Sequence, residues 1–249
     1  MAGFEQDSLI EELKKQKVDL YSILAVCLLT DGSMQVKNNS FRLAYASQDR
    51  RLLSILWSLM NELSDYLPIV TGFQIFTIRL SDKELGEKLA GLCPNYKTSP
   101  VHYEKINDYL ATPQPSLSFL EAANMRTKRR AIRFGFSADG CVSFSKYNKP
   151  EINLACHHPT LVYEWKRILQ RVGINAKIAR SKNSWCNITG VRFQDMESIK
   201  KFYKLGGFLD GVKISRKSKK FTGMEKNALL EKIINGNGRI RTADLSVSE

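Results

Sequence analysis

Residues 24–33 read LAVCLLTDGS and residues 132–141 read IRFGFSADGC. Each is an apolar stretch that stops at Asp-Gly, and the two aspartates, Asp31 and Asp139, lie 139 − 31 = 108 positions apart. A single apolar helix ending this way is ordinary, because glycine readily takes the left-handed conformation just past a helix end. Two copies, each followed by the same order of segments, point to a duplicated unit and constrain the fold.

After Asp31, residues 33–37 and 41–47 alternate polar and apolar and read as strands joined at Asn38-Asn39. LLSILWSLMNEL is apolar at helical spacing, GFQIFTIRL reads as a strand, and SDKELGEKLAGL as a helix with Ser81 as cap and a glutamate three positions on. After Asp139 the order recurs. Strands are expected at 141–146 and 151–156, a helix at 159–172 closed by Gly173, a hairpin at 174–180 and 184–191, and a helix at 195–205. The expected class is α+β, with two αββαββα halves. The expected boundaries are 1–96 for the first half and 97–116 for a proline-rich connection. The second half should span 117–222, with a terminal helix and polar, disordered tail at 223–249.

The net charge of +13 favours a polyanionic partner. Five cysteines with no C-x-x-C pair argue against a disulfide framework and a zinc ribbon. The polar start and the lack of any apolar run of roughly 20 residues speak for an intracellular, soluble chain in cytoplasm, nucleoid or organelle.

An aspartate at a helix C-terminus faces the negative end of the helix dipole, a cost of roughly 0.3–1 kcal/mol. If both helices pack side by side, two carboxylates meet at two negative ends and call for a cation between them. Mg²⁺ suits such an oxygen-only site. Paired carboxylates with divalent metal beside phosphate is the arrangement for in-line phosphodiester hydrolysis.

From about residue 18 to about 220 the chain resembles the single-chain, two-motif LAGLIDADG homing endonucleases. The resemblance implies two pseudo-symmetric halves, each with a four-stranded antiparallel sheet, forming a DNA-binding saddle with two central packed motif helices. It implies a monomer that needs no protein partner or membrane, binds double-stranded DNA through the major groove, and cuts both strands using Mg²⁺ or Mn²⁺. The metal ligands would be Asp31 and Asp139, and Ala25, Gly135 and Ala138 the small residues that let the helices approach. The Lys97-Thr98-Ser99-Pro100 stretch would supply a basic group, Lys97, near the phosphate. In the second half that role falls on Lys213 or Lys217. Ser47 or Gln48, and Cys156 or His157, would organise water. Val26 stands where the family name has glycine, and Leu29 and Ser137 where it has an acid.

Strand alternation then gives groove-facing residues: Gln35, Lys37 and Arg42 in the first half, with Arg51 close by. In the second half they are Ser143, Ser145, Glu151, Asn153, Lys177, Trp185, Asn187 and Thr189, with Lys217 on phosphate. The basic run from Arg126 to Arg133 reads as a solvated helix face or a backbone contact. Asp210, in LGGFLDG, reads as a surface loop residue and Cys156-His157-His158 as a helix entry. An RNA maturase and a non-cutting DNA-binding regulator of the same fold are the rival functions.

Overall fold

The computed structural model describes residues 7–37, 40–72, 75–145, 147–215, 221–236 and 238. The first half runs α1 (Ser8–Lys15), α2 (Leu20–Leu29), β1 (Gly32–Lys37), β2 (Ser40–Ser47), α3 (Arg50–Leu63), β3 (Ile69–Thr71), β4 (Phe76–Ser81) and α4 (Lys83–Leu92). A 3-10 turn at Pro100–His102, α5 (Ile106–Leu110) and α6 (Ser118–Ala122) cross to the second half. That half runs α7 (Met125–Asp139), β5 (Gly140–Phe144), β6 (Pro150–Ala155), α8 (Pro159–Arg171), β7 (Lys177–Arg180), β8 (Ile188–Phe193) and α9 (Met196–Lys204), and α10 (Lys226–Asn235) follows.

The motif helices are central because their sequences leave no other place for them. α2 carries no charged residue, and nine of its ten residues are buried. A helix apolar all round must be enclosed on every side. In α7 each residue from Ala131 to Ser137 is buried, and α2 packs against α7 as well as against α3 and α4. Equivalent positions tie their starts together: the Asp19 N–H donates to Thr127 Oγ1 at 3.0 Å, and 127 − 19 is again 108.

Each half forms one four-stranded antiparallel sheet, in the orders β1-β2-β4-β3 and β5-β6-β8-β7. Register fixes the equivalences between halves. Gly32 faces Tyr45, which faces Ile78, and Gly140 faces Leu154, which faces Val191. One position further out, the rows read Ser33–Ala44–Arg79–Ile69 and Cys141–Asn153–Arg192–Lys177.

Three local expectations shift. The stretch 72–80 is not one strand: the chain turns between β3 and β4. The cap of α4 is Asp82, not Ser81, because its carboxylate accepts from the Leu85 N–H. The expected strand at 184–191 begins at Ile188, since 182–187 form turns and Asn187 has φ +57°.

Candidate active site

Each motif helix stops where its strand folds straight back over it. A Cβ on Gly32 would lie 2.6 Å from Leu28 Cα, and one on Gly140 would lie 2.3 Å from Phe136 O. Only glycine permits that close return. Both turns open onto one cleft of about 930 Å³, lined among others by Asp31, Ser47, Gln48, Asp49, Asp139, Lys213 and Lys226. A hollow of about 300 Å³, sharing Asp139 and Ala155 with it, is lined by Thr98, Ser99, Cys156, His157 and Trp185. Asp31 is exposed, two positions past its helix, whereas Asp139 is half-buried and is the last residue of its helix.

The charge balance of this cleft is local. Tyr45, buried on the inner face of β2, has its phenol pushed well above the ordinary tyrosine value by burial, then by Cys27, Asp31 and Asp139. Its oxygen has no hydrogen-bond partner among the described atoms. The cleft is also lined by Lys226, only 6% exposed, whose ammonium donates to Ser137 O and Gly140 O, both at 2.7 Å. Burial holds this lysine below its usual value, opposed by Cys141, Asp49, Asp139 and Asp31. A cation in that place offsets the negative end of α7. The sequence reading missed it, and no motif marks it.

Asp49 shares the cleft, but both its oxygens are engaged. One accepts from the Leu52 N–H at 3.0 Å, the other from the Lys213 N–H at 2.8 Å. The donor chemistry of Asp31 and Asp139 fits a hard divalent ion whose remaining ligands are water and phosphate oxygens. Among the described residues no group of three or more His, Cys, Asp or Glu could hold a metal alone.

The residues expected at the site separate into three sets. Ser47, Gln48 and Lys213 line the main cleft, and Cys156 and His157 line the adjoining hollow. Burial raises the Cys156 thiol to about 12. Gln35, Arg42, Asn153 and Ser143 lie on the outer sheet faces, where Gln35 pairs with Arg42 and the Asn153 amide donates to Ser143 Oγ at 2.7 Å. Lys177 is exposed on edge strand β7. Ala25 is fully buried on α2, and Ala138 lines the cleft. A side chain on Gly135 would meet the Trp165 ring at 2.8 Å before it met Val26 of α2 at 3.6 Å, so that glycine mainly accommodates tryptophan.

Other expectations need correction. Lys97 does not line the cleft: its ammonium lies 5.1 Å over the Tyr103 ring, and the neighbours Thr98 and Ser99 reach the hollow instead. Arg51 is taken by a bidentate pair with Asp7, itself buried, and by Asp210 O. Glu151 is 9% exposed and paired with Arg192 and Gln194. Ser145 closes the β5–β6 turn by bonding Lys149. Trp185 stacks edge-on against Tyr109 in a turn. Thr189 falls at the bulge where β7 and β8 change register. That extra residue reverses the alternation, so Arg192 faces outward where odd-numbered residues were expected. Arg79, its equivalent, is exposed too and was missed. The basic run on α7 braces the fold: Lys128 bonds Glu121 O, Arg130 pairs with Glu12, and Arg133 bonds Phe208 O. Lys217 and the side chain of Lys37 lie outside the described residues.

Two acidic helix ends thus line one cleft, each heading an antiparallel four-stranded sheet. Residues 127–207, within the second half, match the family model of the LAGLIDADG-like domain. Among solved structures, mesophilic variants of the homing endonuclease I-DmoI share the fold at TM-score 0.52 and 16% identity, over 74% of this chain and 87% of theirs. I-DmoI in complex with DNA and Mn aligns at TM-score 0.51 and 15% identity, over 75% of this chain and 97% of that one. I-DmoI with DNA and Ca aligns at TM-score 0.51 and 16% identity, over 75% and 88%. At these identities the likeness is one of fold. No curated protein matches the sequence. No described helix is long and apolar enough to cross a membrane.

Proposed function

We propose that this chain is a site-specific DNA endonuclease that lays the outer faces of its two sheets in the major groove and hydrolyses one phosphodiester bond in each strand. The observation that carries this reading is the meeting of Asp31 and Asp139, from two packed helix ends, in one cleft between the two sheets. Chains of the same fold are recorded with DNA and Mn, with DNA and Ca, and, for one I-DmoI variant, with target DNA in the presence of Mg.

Asp31 and Asp139 would hold the divalent metal, Mg²⁺ or Mn²⁺. When bound, it supplies a water of lowered pKa and a positive charge beside the phosphate. The chain's own residues do the rest. Lys213, exposed at the cleft wall, presents an ammonium to the charge that develops on phosphate oxygens. Ser47 and Gln48 in one half, and Cys156 and His157 in the other, flank the space for water. Outer-face side chains such as Gln35, Arg42, Asn153 and Lys177 suit base edges or phosphates. Both halves lie in one chain, so one copy suffices for both strands.

The test uses a labelled duplex selected by cleavage from a random library. Asp31→Asn and Asp139→Asn should each slow cleavage at least about a thousandfold, more than 4 kcal/mol of barrier. DNA affinity should stay within about threefold, since each variant loses one anion. Undiminished cleavage by either variant overturns the assignment.

A further inference from the structure

We propose that Asp49 and His158 are equivalent positioning residues: each caps a helix in its own half and holds at the cleft the segment that follows the other half. Sheet register makes them equivalent. Each lies four positions beyond the residue that faces the motif glycine, Tyr45 in one half and Leu154 in the other. Each also caps the next helix, Asp49 accepting from the Leu52 N–H and His158 Nδ1 from the Leu161 N–H.

Both have a second polar atom, and both spend it across the molecule. Asp49 Oδ2 accepts the Lys213 N–H at 2.8 Å, a contact between residues 164 apart. His158 Nδ1 acts as the cap acceptor, so its Nε2 carries the proton and donates to Gln114 Oε1 at 3.0 Å. Gln114 then donates to Tyr109 O at 2.8 Å, and the Tyr109 hydroxyl donates to Lys97 O at 2.8 Å. The segment after the second half is thus pinned by the first, and the segment after the first half by the second. One pin sets Lys213 at the cleft wall. The other sets Thr98 and Ser99 at the hollow beside Asp139. Neither residue would touch the phosphate; each acts through a backbone it holds. His158 is 1% exposed, which keeps its link away from competing water.

This inference rests on the reading above in one respect, that the cleft cuts DNA, and it extends to the Thr98–Ser99 segment the phosphate contact given there to Lys213 alone. It predicts that the two pins serve different DNA strands. Asp49→Ser keeps a cap oxygen for Leu52 and removes the acceptor for Lys213. It should slow cleavage of one strand about ten- to hundredfold, the worth of one hydrogen bond to a charged group, so that singly nicked DNA accumulates. Tyr109→Phe and His158→Ser should slow the other strand. Tyr109→Phe keeps the ring, so it remains decisive if His158→Ser fails to fold. Equal slowing of both strands, or no slowing, overturns the proposal. Amide exchange by NMR gives an arm independent of cleavage: in Asp49→Ser the Lys213 amide should exchange at least about tenfold faster while Leu52 stays protected. Unchanged Lys213 exchange also overturns the proposal. If the wild-type chain cuts no DNA, the endonuclease reading fails and the exchange arm still decides whether Asp49 holds the segment.

Discussion

In the first half the motif helix ends on its own resources. Thr30 bonds back to Cys27 O through its hydroxyl and its amide, and Asp31 stands beyond it in solvent. In the second half the helix runs on through Asp139, and its end is closed from outside by a lysine on α10. The first helix is apolar and is placed by burial, whereas the second is rich in cations and is placed by burial together with bonds from Arg130 and Arg133 to distant segments. Matched carboxylates can therefore be presented by unmatched supports. What must be alike is the glycine turn that follows; what stabilises each helix end is free to differ.

Removing Lys226 strikes at that difference most directly. Lys226→Met leaves Ser137 O and Gly140 O buried without their donor and should cost about 2–4 kcal/mol in urea unfolding. Thr30→Ala, the matching change in the first half, should cost about 1 kcal/mol or less. Equal costs would erase the contrast.

Acid should find the second half first. Burial holds the His158 imidazole down at about 4, below the ordinary value of about 6.5. Between those values the unfolded chain binds a proton that the folded chain refuses. His158 therefore contributes its full stability above about pH 6.5 and loses it as pH falls towards 4, by at most about 3 kcal/mol. Urea midpoints measured from pH 7 to 4.5 should fall, and His158→Asn should flatten that fall. A slope left unchanged by His158→Asn would assign the acid sensitivity elsewhere.

The outer faces offer a subtler comparison. Arg79 and Arg192 occupy the same row of their sheets, but Arg192 is paired with Glu151 at 3.3 Å and Arg79 has no ion pair among the described residues. Arg79→Ala should cost about 1–3 kcal/mol of DNA affinity, and Arg192→Ala less than about 1, by titration at fixed salt. The reverse order would mean that Glu151 releases Arg192 on binding. Smallest of all, Tyr45→Phe should change stability by no more than about 1 kcal/mol, because the lost hydroxyl has no partner to leave behind. A larger loss would reveal a partner for that oxygen, which the equivalent Leu154 could not share.

Most of the architecture was legible in the sequence, since periodicity and turn chemistry act over a few residues. The repeat, the two apolar helix ends and the strand pairs after each are local patterns of this kind. The failures are equally physical. One bulged residue near Thr189 inverts every later side chain on β8, and nothing short of the pairing reveals it. Arg51 and Lys97 have the right charge and place in the chain, but Asp7 and Tyr103 claim them. Lys226 had no motif, because its partners Ser137 and Gly140 lie 89 and 86 positions away.

By itself, then, the sequence determined that two aspartates would stand at the ends of two related helices, because each is followed by a glycine, and only glycine lets the chain fold straight back there. Tertiary structure decided which cations stand beside them. Lysines are common in this chain, and only long-range hydrogen bonds select Lys226 for the helix end and hold Lys213 at the cleft.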